Sequence, residues 1–259
     1  MKPKVLIYDI ETAPLLSYTW GLYDQNVSLN QVHTDWYVLS VAAKWMGEKK
    51  VFYESLSKIN LKKVPGNDKS VVSFIWKLLD EADICITQNG KEFDQKRLNA
   101  RFAIYGMQPP SPSKQIDTLK IAKKSFGFTS NKLAYLTEKL CTKYKKLEHK
   151  KFPGFDLWKE CLDGNQEAWA EMRKYNIHDV LSLEELYTKL SAWDNSVNFG
   201  LYRTDGVYAC SCGSANLNRR GFYYTAVGKY QKYRCMDCGK ETYSGKNLFK
   251  GVTHKGIAR

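Results

Sequence analysis

Apolar residues in this chain fall into a few short unbroken runs, followed by longer stretches with helical spacing. Lys4-Val-Leu-Ile-Tyr8 is such a run, and its lack of alternation predicts a strand buried on both faces. Tyr37-Val-Leu-Ser-Val-Ala-Ala-Lys-Trp45 and Lys50-Val-Phe-Tyr53 predict two further strands as antiparallel neighbours. Over residues 70–82, Val71, Phe74, Ile75, Leu78 and Leu79 recur at three and four, which is the repeat of one helix face. Asp83-Ile-Cys-Ile-Thr87 reads as a strand ending at Asn89-Gly90, and residues 93–105 read as a helix stopped by Gly106 and the Pro109-Pro110 pair. Helical spacing returns over residues 117–125 and 131–140, then over a long stretch from about 165 to 192 after the Pro153-Gly154 loop. Strands come first and then alternate with helices, the order of an α/β fold with a mixed sheet flanked by helices. Periodicity fails at residues 193–205, where Asn, Ser and Gly accumulate, so a domain boundary is expected near residue 200, separating 1–199 from 200–259.

Composition sharpens this picture. With 43% hydrophobic residues in 259, the chain can build a real core, which excludes a disordered protein. No apolar run approaches the roughly 20 residues a bilayer span needs. The basic start turns acidic after a few apolar residues and lacks a small-residue cleavage site, so a cytoplasmic location and no membrane partner are expected. The net charge of +13 is unevenly placed: from Gly200 on there are 11 Lys/Arg against 3 Asp/Glu, leaving 29 against 24 before it. Such a basic region is either a solubilising tail or a surface that releases phosphate counterions, which makes nucleic acid the leading partner. Cys85, Cys141 and Cys161 stand singly, as reduced buried thiols would, whereas Cys210, Cys212, Cys235 and Cys238 cluster and mark the second domain.

Three acidic motifs carry candidate chemistry. Asp9 and Glu11 close the first buried strand two residues apart, so their side chains share one face. Asn89-Gly-Lys-Glu-Phe-Asp94 follows another apolar strand, with Asp94 at the start of a helix, where a capping role is the alternative. Tyr175-Asn-Ile-His-Asp179 lies on the long helix; Tyr175 and Asp179 share a face, and His178 is turned about 100° away from Asp179.

Asp-x-Glu, Asn-x-x-x-Phe-Asp and Tyr-x-x-x-Asp, in this order, resemble the three exonuclease motifs of the DEDD (DnaQ-like) superfamily over most of residues 1–193. Ile116-Asp-Thr-Leu119 and Lys132-Leu-Ala-Tyr-Leu136 agree. One branch of that family carries His five residues before the last Asp, where this chain has Lys174; the other carries Tyr four before, and here that residue is Tyr175. The chain thus resembles the tyrosine (DEDDy) branch, without an accompanying polymerase domain, and is similar to small stand-alone phage exonucleases.

The resemblance implies an RNase H-like fold and a 3′→5′ exonuclease that releases mononucleotides from single-stranded 3′ ends, DNA before RNA. It implies two Mg²⁺ or Mn²⁺ held by Asp9, Glu11, Asp94 and Asp179. Two such ions supply both an activated water and relief for charge on the leaving oxygen, and they demand oxygen ligands. Tyr175, with an ordinary pKa near 10, is a poor base and is expected to orient the attacking water. By resemblance, Thr12 contacts the 3′-terminal nucleotide, and Asn89 and Phe93 are further substrate-binding candidates. Asp117, the nearest rival acid, is expected to cap a helix. The lysines at 139, 143, 145, 146, 150 and 151 form either a solvated face or a flank for the incoming strand.

Cys210-Ser-Cys212, 22 intervening residues, and Cys235-Met-Asp-Cys238 have the logic of a zinc ribbon, two knuckles joined by a β-hairpin around one structural Zn²⁺. The first knuckle is one residue shorter than the usual pair spacing, and a redox disulfide is the competing reading. Arg219, Arg220, Lys229, Lys232 and Arg234 are mixed with Tyr223, Tyr224, Tyr230 and Tyr233, cations beside rings that suit single-stranded nucleic acid, the alternative being a hairpin whose aromatics pack inward; Arg219, Arg220 and Lys232 are the candidate contacts. The rival class is a nucleic-acid-binding protein that acts through the ribbon while the larger domain is catalytically silent. Four mutually repelling acids kept together weigh against it. An RNA-trimming exonuclease of the same mechanism is a third reading, and a replication or recombination protein a further possible partner, in the host cytoplasm if the chain is phage-encoded.

Overall fold

The computed structural model describes residues 3–145, 147 and 151–249. They form two compact units, one of Lys4–Thr188 and one made chiefly of the residues from Lys189 on. In chain order the first unit contains β1 (Val5–Thr12), a small pair β2 (Leu16–Ser17) and β3 (Val32–Thr34), β4 (Val38–Trp45), β5 (Val51–Ser55), α1 (Lys69–Glu81), β6 (Ile84–Thr87), α2 (Asp94–Ile104), β7 (Lys114–Asp117), α3 (Thr118–Ser125), α4 (Leu133–Leu140), α5 (Asp156–Leu162) and α6 (Gln166–Leu190).

Five strands make one mixed sheet in the order β5-β4-β1-β6-β7. β1 is central: it pairs antiparallel with β4 and parallel with β6, and β6 in turn pairs parallel with β7. Leu6, Tyr8 and Ile10 enter one core cluster with Val71, Ile75, Leu98 and Phe102 of the helices behind the sheet. Because side chains alternate along a strand, Asp9 and Glu11 point to the opposite face.

Two ion pairs tie helices to this sheet. Lys44 Nζ on β4 lies 2.5 Å from Glu184 of α6, whose other oxygen accepts from Gly47 N–H at 2.7 Å. Arg101 of α2 pairs with the fully buried Asp68 at 2.5 Å, and Asp68 also accepts from Val38 N–H and the Tyr105 hydroxyl. A buried charge that lost its partner here would be strongly destabilising.

Three elements depart from the sequence pattern. β1 runs on through Thr12, so both acids lie within the ladder, Asp9 opposite Ala42 and Glu11 opposite Ser40. β7 has only Ile116 as a large apolar residue, too little for a strand signature; it is held by pairing with β6 alone at the sheet edge. α5 falls where a loop was expected: two turns suffice to bury Leu157 and Cys161.

The second unit has a three-stranded antiparallel sheet, β8 (Leu217–Thr225), β9 (Gly228–Cys235) and β10 (Glu241–Asn247), in the order β10-β9-β8. The expected hairpin is β8–β9, and β10 completes it as a strand the pattern did not announce. No helix among the described residues is long and apolar enough to cross a membrane.

Candidate active site

β1, α2 and α6 bring the acidic motifs together. Oxygens of Asp9, Glu11 and Asp179 all lie within 4.8 Å of one another. Asp94 adjoins this trio without belonging to it: its Oδ1 accepts from the Ile10 N–H at 3.2 Å, between Asp9 and Glu11 in the strand. The carboxylate is therefore buried against β1, and it also accepts from its own N–H at the first position of its helix.

The turn that delivers Asp94 is tightly constrained. Asn89 has a left-handed backbone (φ 64°), and a Cβ on Gly90 would come within 2.3 Å of the Thr87 hydroxyl, so only glycine fits there. Asp117 caps α3 by accepting from Leu119 N–H at 3.0 Å, as its spacing predicts, and the same oxygen accepts from Asn89 N–H at 2.9 Å. The second oxygen of Asp117 is buried without a hydrogen-bond partner. Asn89 thus contributes its backbone to the architecture of the turn.

On α6, Tyr175 and Asp179 are joined by a side-chain hydrogen bond one helical turn apart. His178 leaves that face, bonding to the Lys145 carbonyl and meeting Tyr144 edge-on with ring centroids 5.9 Å apart.

Two residues not anticipated from sequence complete the surroundings. Asn176 is fully buried; its Nδ2 donates to Asp9 Oδ2 at 2.7 Å while its Oδ1 accepts from Ser40 at 3.1 Å. Trp158 of α5 hydrogen-bonds Glu11 and packs edge-on against Tyr175. A signal for Asn176 was present: it is a polar residue in the buried stripe Met172, Val180, Leu183 and Tyr187. Trp158 had none, because its helix was not legible.

Crowding sets the electrostatics. Desolvation first, then the neighbouring carboxylates, pushes Glu11 up to about 8 and Asp9 well above the usual range. Desolvation also raises Asp94 and Asp179 to about 7, the latter against the opposing hydrogen bond from Tyr175. Burial and the adjacent acids push the Tyr175 hydroxyl far above 10. An all-oxygen donor set of clustered acids fits hard divalent cations, which would relieve this repulsion.

Thr12 lines a groove next to Glu11 that also includes Arg97, and Phe93 is exposed, 5.3 Å from the Arg97 guanidinium. Among the lysines, Lys145 pairs with Glu138 and Lys151 with Glu167, while Lys143 lies over the Tyr144 ring. Lys139 sits 5.9 Å from the Tyr135 ring, and Lys146 and Lys150 lie outside the described residues.

In the second unit the four cysteines converge, with Cys210 and Cys238 sulfurs 3.7 Å apart and Cys212 and Cys235 sulfurs 3.6 Å apart. All are free thiols, which removes the disulfide reading. Tetrahedral thiolates about 2.3 Å from zinc have sulfurs about 3.8 Å apart, so the set fits that ion, the short first knuckle notwithstanding. Burial opposes ionisation of Cys235, yet backbone N–H donors from Cys238 and Asp237 bring it down to about 7. Arg219 and Arg220 are exposed on β8, whereas Lys232 faces Glu241 at 3.6 Å and is partly neutralised.

A mixed five-stranded sheet with clustered acids on its central strand and on two helices defines the class as a nuclease-like α/β fold. The RNase_H superfamily model RNase_H_2 matches residues 6–191, and the chain belongs to that superfamily. No curated protein matches the chain closely enough to extend this. The superfamily relates the larger unit to nucleases and hence to nucleic acid, and the cysteine cluster with its small sheet is an addition beyond the matched residues.

Proposed function

We propose that this chain is a 3′→5′ exonuclease of the tyrosine branch, hydrolysing single-stranded 3′ ends, DNA before RNA, to mononucleotides. The carrying observation is the hydrogen bond between Tyr175 and Asp179 on one helix face, with Asp179 drawn to Asp9 and Glu11. Asp9, Glu11, Asp94 and Asp179 are the residues that would hold two Mg²⁺ or Mn²⁺. Bound there, such ions supply a water of lowered pKa and neutralise charge on the leaving oxygen.

The remaining work falls to side chains of this protein. Asn176 and the Ile10 N–H fix the orientation of Asp9 and Asp94. Tyr175, protonated at any working pH, donates to Asp179 or to a water beside it and so aims the nucleophile. Trp158 fixes Glu11 and excludes bulk water from one side. Residues 1–199 are the catalytic domain in this reading, and 200–259 a zinc ribbon whose Arg219 and Arg220 hold single strands at neighbouring phosphates.

Matched 3′- and 5′-labelled single strands of DNA and RNA, incubated with Mg²⁺, with Mn²⁺ and with chelator, test the proposal. Stepwise loss from 3′ ends that stops in chelator is expected. Strand binding without cleavage under every metal condition would instead favour a silent larger domain beside a binding ribbon.

A further inference from the structure

The two faces of the small sheet hold their cations and rings in different states. Residues directly opposite in an antiparallel pair share a face. Tyr224 stands opposite Lys229, Phe222 opposite Gln231 and Arg219 opposite Tyr233, so these lie on one face. Tyr223 stands opposite Tyr230, Tyr243 opposite Lys232 and Glu241 opposite Arg234, which places these on the other. Between Arg219 and Phe222 the register shifts, and Arg220 and Gly221 bulge from the ladder, Gly221 with a left-handed backbone (φ 78°).

On the second face the chemistry is already spent. Glu241 takes Lys232 at 3.6 Å and Arg234 at 3.8 Å. Tyr223 and Tyr243 stack with centroids 4.4 Å apart, and Tyr230 tilts against both, so these rings cover one another. The first face carries no acid among the residues the register assigns to it. Lys229 Nζ lies 3.9 Å from the Phe222 ring centroid and 5.7 Å from that of Tyr224. The ion pairs of this unit's described residues are Arg203–Asp205, Lys232–Glu241 and Arg234–Glu241, none of which takes Arg219 or Lys229. Phe222 and Tyr224 meet at 65° with centroids 6.4 Å apart, so neither ring covers the other, and Tyr224 is 61% exposed. An ammonium held over a ring keeps its hydrogen-bond donors, and an open ring beside it matches an unpaired base. A duplex offers the phosphates alone.

We propose that single-stranded nucleic acid runs over this one face of the sheet, a base stacking on Tyr224 while phosphates meet Arg219 and Lys229, the latter positioned by Phe222. The proposal rests on the reading of the ribbon as a holder of single strands. It adds Tyr224, Lys229 and Phe222 to the contacts and leaves Lys232 on the far face. Tyr224 is the contact that selects unpaired bases, and Phe222 is a positioning residue.

The test uses the full zinc-loaded chain and two probes, a thymidine dodecamer and a duplex of equal length. Binding is measured across a salt series with no Mg²⁺ or Mn²⁺ added, and zinc content is read for each variant to show that the ribbon is folded. Tyr224→Ala should weaken dodecamer binding by about 5–100-fold, the worth of stacking one base, and Tyr224→Phe should keep most of the affinity. Lys229→Ala and Arg219→Ala should each lower the salt slope by roughly 0.7, the value of one single-strand phosphate contact. Phe222→Leu, which keeps the bulk and loses the ring, should reproduce part of the Lys229→Ala loss. Lys232→Ala should leave the slope unchanged, and the duplex should be indifferent to Tyr224. Wild-type dodecamer affinity in a zinc-replete Tyr224→Ala protein, a slope change in Lys232→Ala equal to that in Lys229→Ala, or equal dependence of the duplex on Tyr224 would overturn the proposal. A chain that cleaves nothing when Mg²⁺ is added, yet shows the expected losses, would defeat the nuclease reading and uphold this face as a single-strand site.

Discussion

The two ligand clusters of this protein stand on opposite kinds of foundation. Asp9 and Glu11 sit in the central strand of a five-stranded sheet, backed by a core that includes Tyr8, Ile10, Val71 and Leu98. The four cysteines sit at one end of a three-stranded sheet whose β8 is exposed along eight of its nine residues. In the first region the fold pays for the ligands: the scaffold forces acids together against their repulsion. In the second the sheet buries little apolar surface, so a metal held by the four thiols would organise the fold. Metal should therefore decide chemistry in one region and existence in the other.

The largest effect should come from breaking that second dependence. Cys235→Ser, or a strong zinc chelator, should unfold the ribbon, since zinc supplies about 10–16 kcal/mol of apparent folding free energy to such modules. Proton-resolved NMR should show the β8–β10 signals collapse while those of Lys4–Thr188 persist. A ribbon that stayed folded without thiolates would erase the contrast.

Asp94→Asn tests the first region and should separate stability from activity. The amide can still accept from Ile10 N–H but removes one repelling acid, so turnover should drop by several orders of magnitude while Tm in the metal-free protein rises. A variant with near-wild-type turnover at saturating Mg²⁺ would remove Asp94 from the site and turn attention to Asp117, with its unpartnered buried oxygen. Tyr175→Phe should cost less, on the order of 10–1,000-fold in kcat, because it removes one orienting hydroxyl and no acid. His178→Ala should cost less still, since that ring bonds to the Lys145 carbonyl away from the acids.

The smallest expected effect is a pH dependence of stability. Glu11 at about 8 and Asp94 and Asp179 at about 7 in the folded protein compare with about 4 for the same groups unfolded. The folded state holds protons that the unfolded state releases, so stability is highest below about pH 4 for these groups and declines as pH rises to about 8. Thermal unfolding of the metal-free protein should show Tm falling across that window. Mn²⁺ should flatten the fall, and titrating it in at pH 7 should release protons measurable in a weak buffer. A flat metal-free profile would mean that the acids are farther apart than the structure places them.

Legibility followed the same divide between pattern and packing. β1 and β4 could be read because their apolar residues form short unbroken runs, α1 and α6 because theirs recur at helical spacing, and the acids were picked out because three motifs in order resemble those of a known family. β7 and α5 could not, since Ile116 alone, or Leu157 and Cys161 in two turns, carry too few repeats to distinguish a strand or helix from a loop. Trp158 was lost with that limit, as tertiary folding alone carries it to Glu11. Asn176 was lost for a different reason. It lies on a legible helix, and its only signal in the sequence is the polar break it makes in the buried stripe from Met172 to Tyr187. Asn89 has, beside any ligand contact, a structural task that its motif did not announce: its backbone is left-handed and its N–H bonds to Asp117.

The site also has a consequence in time. Asn176 reaches across 167 positions to hold Asp9, and Asp179 lies beyond it, so the first and last acids are nearly as far apart in sequence as the larger unit allows. A nascent chain displays Asp9, Glu11 and Asp94 well before α6 has left the ribosome, and until then no partial assembly holds all four acids. Such long-range closure is slow and comes late. On the nuclease reading proposed above, the nascent chain stays inert beside nucleic acid and becomes competent only when the last long helix docks.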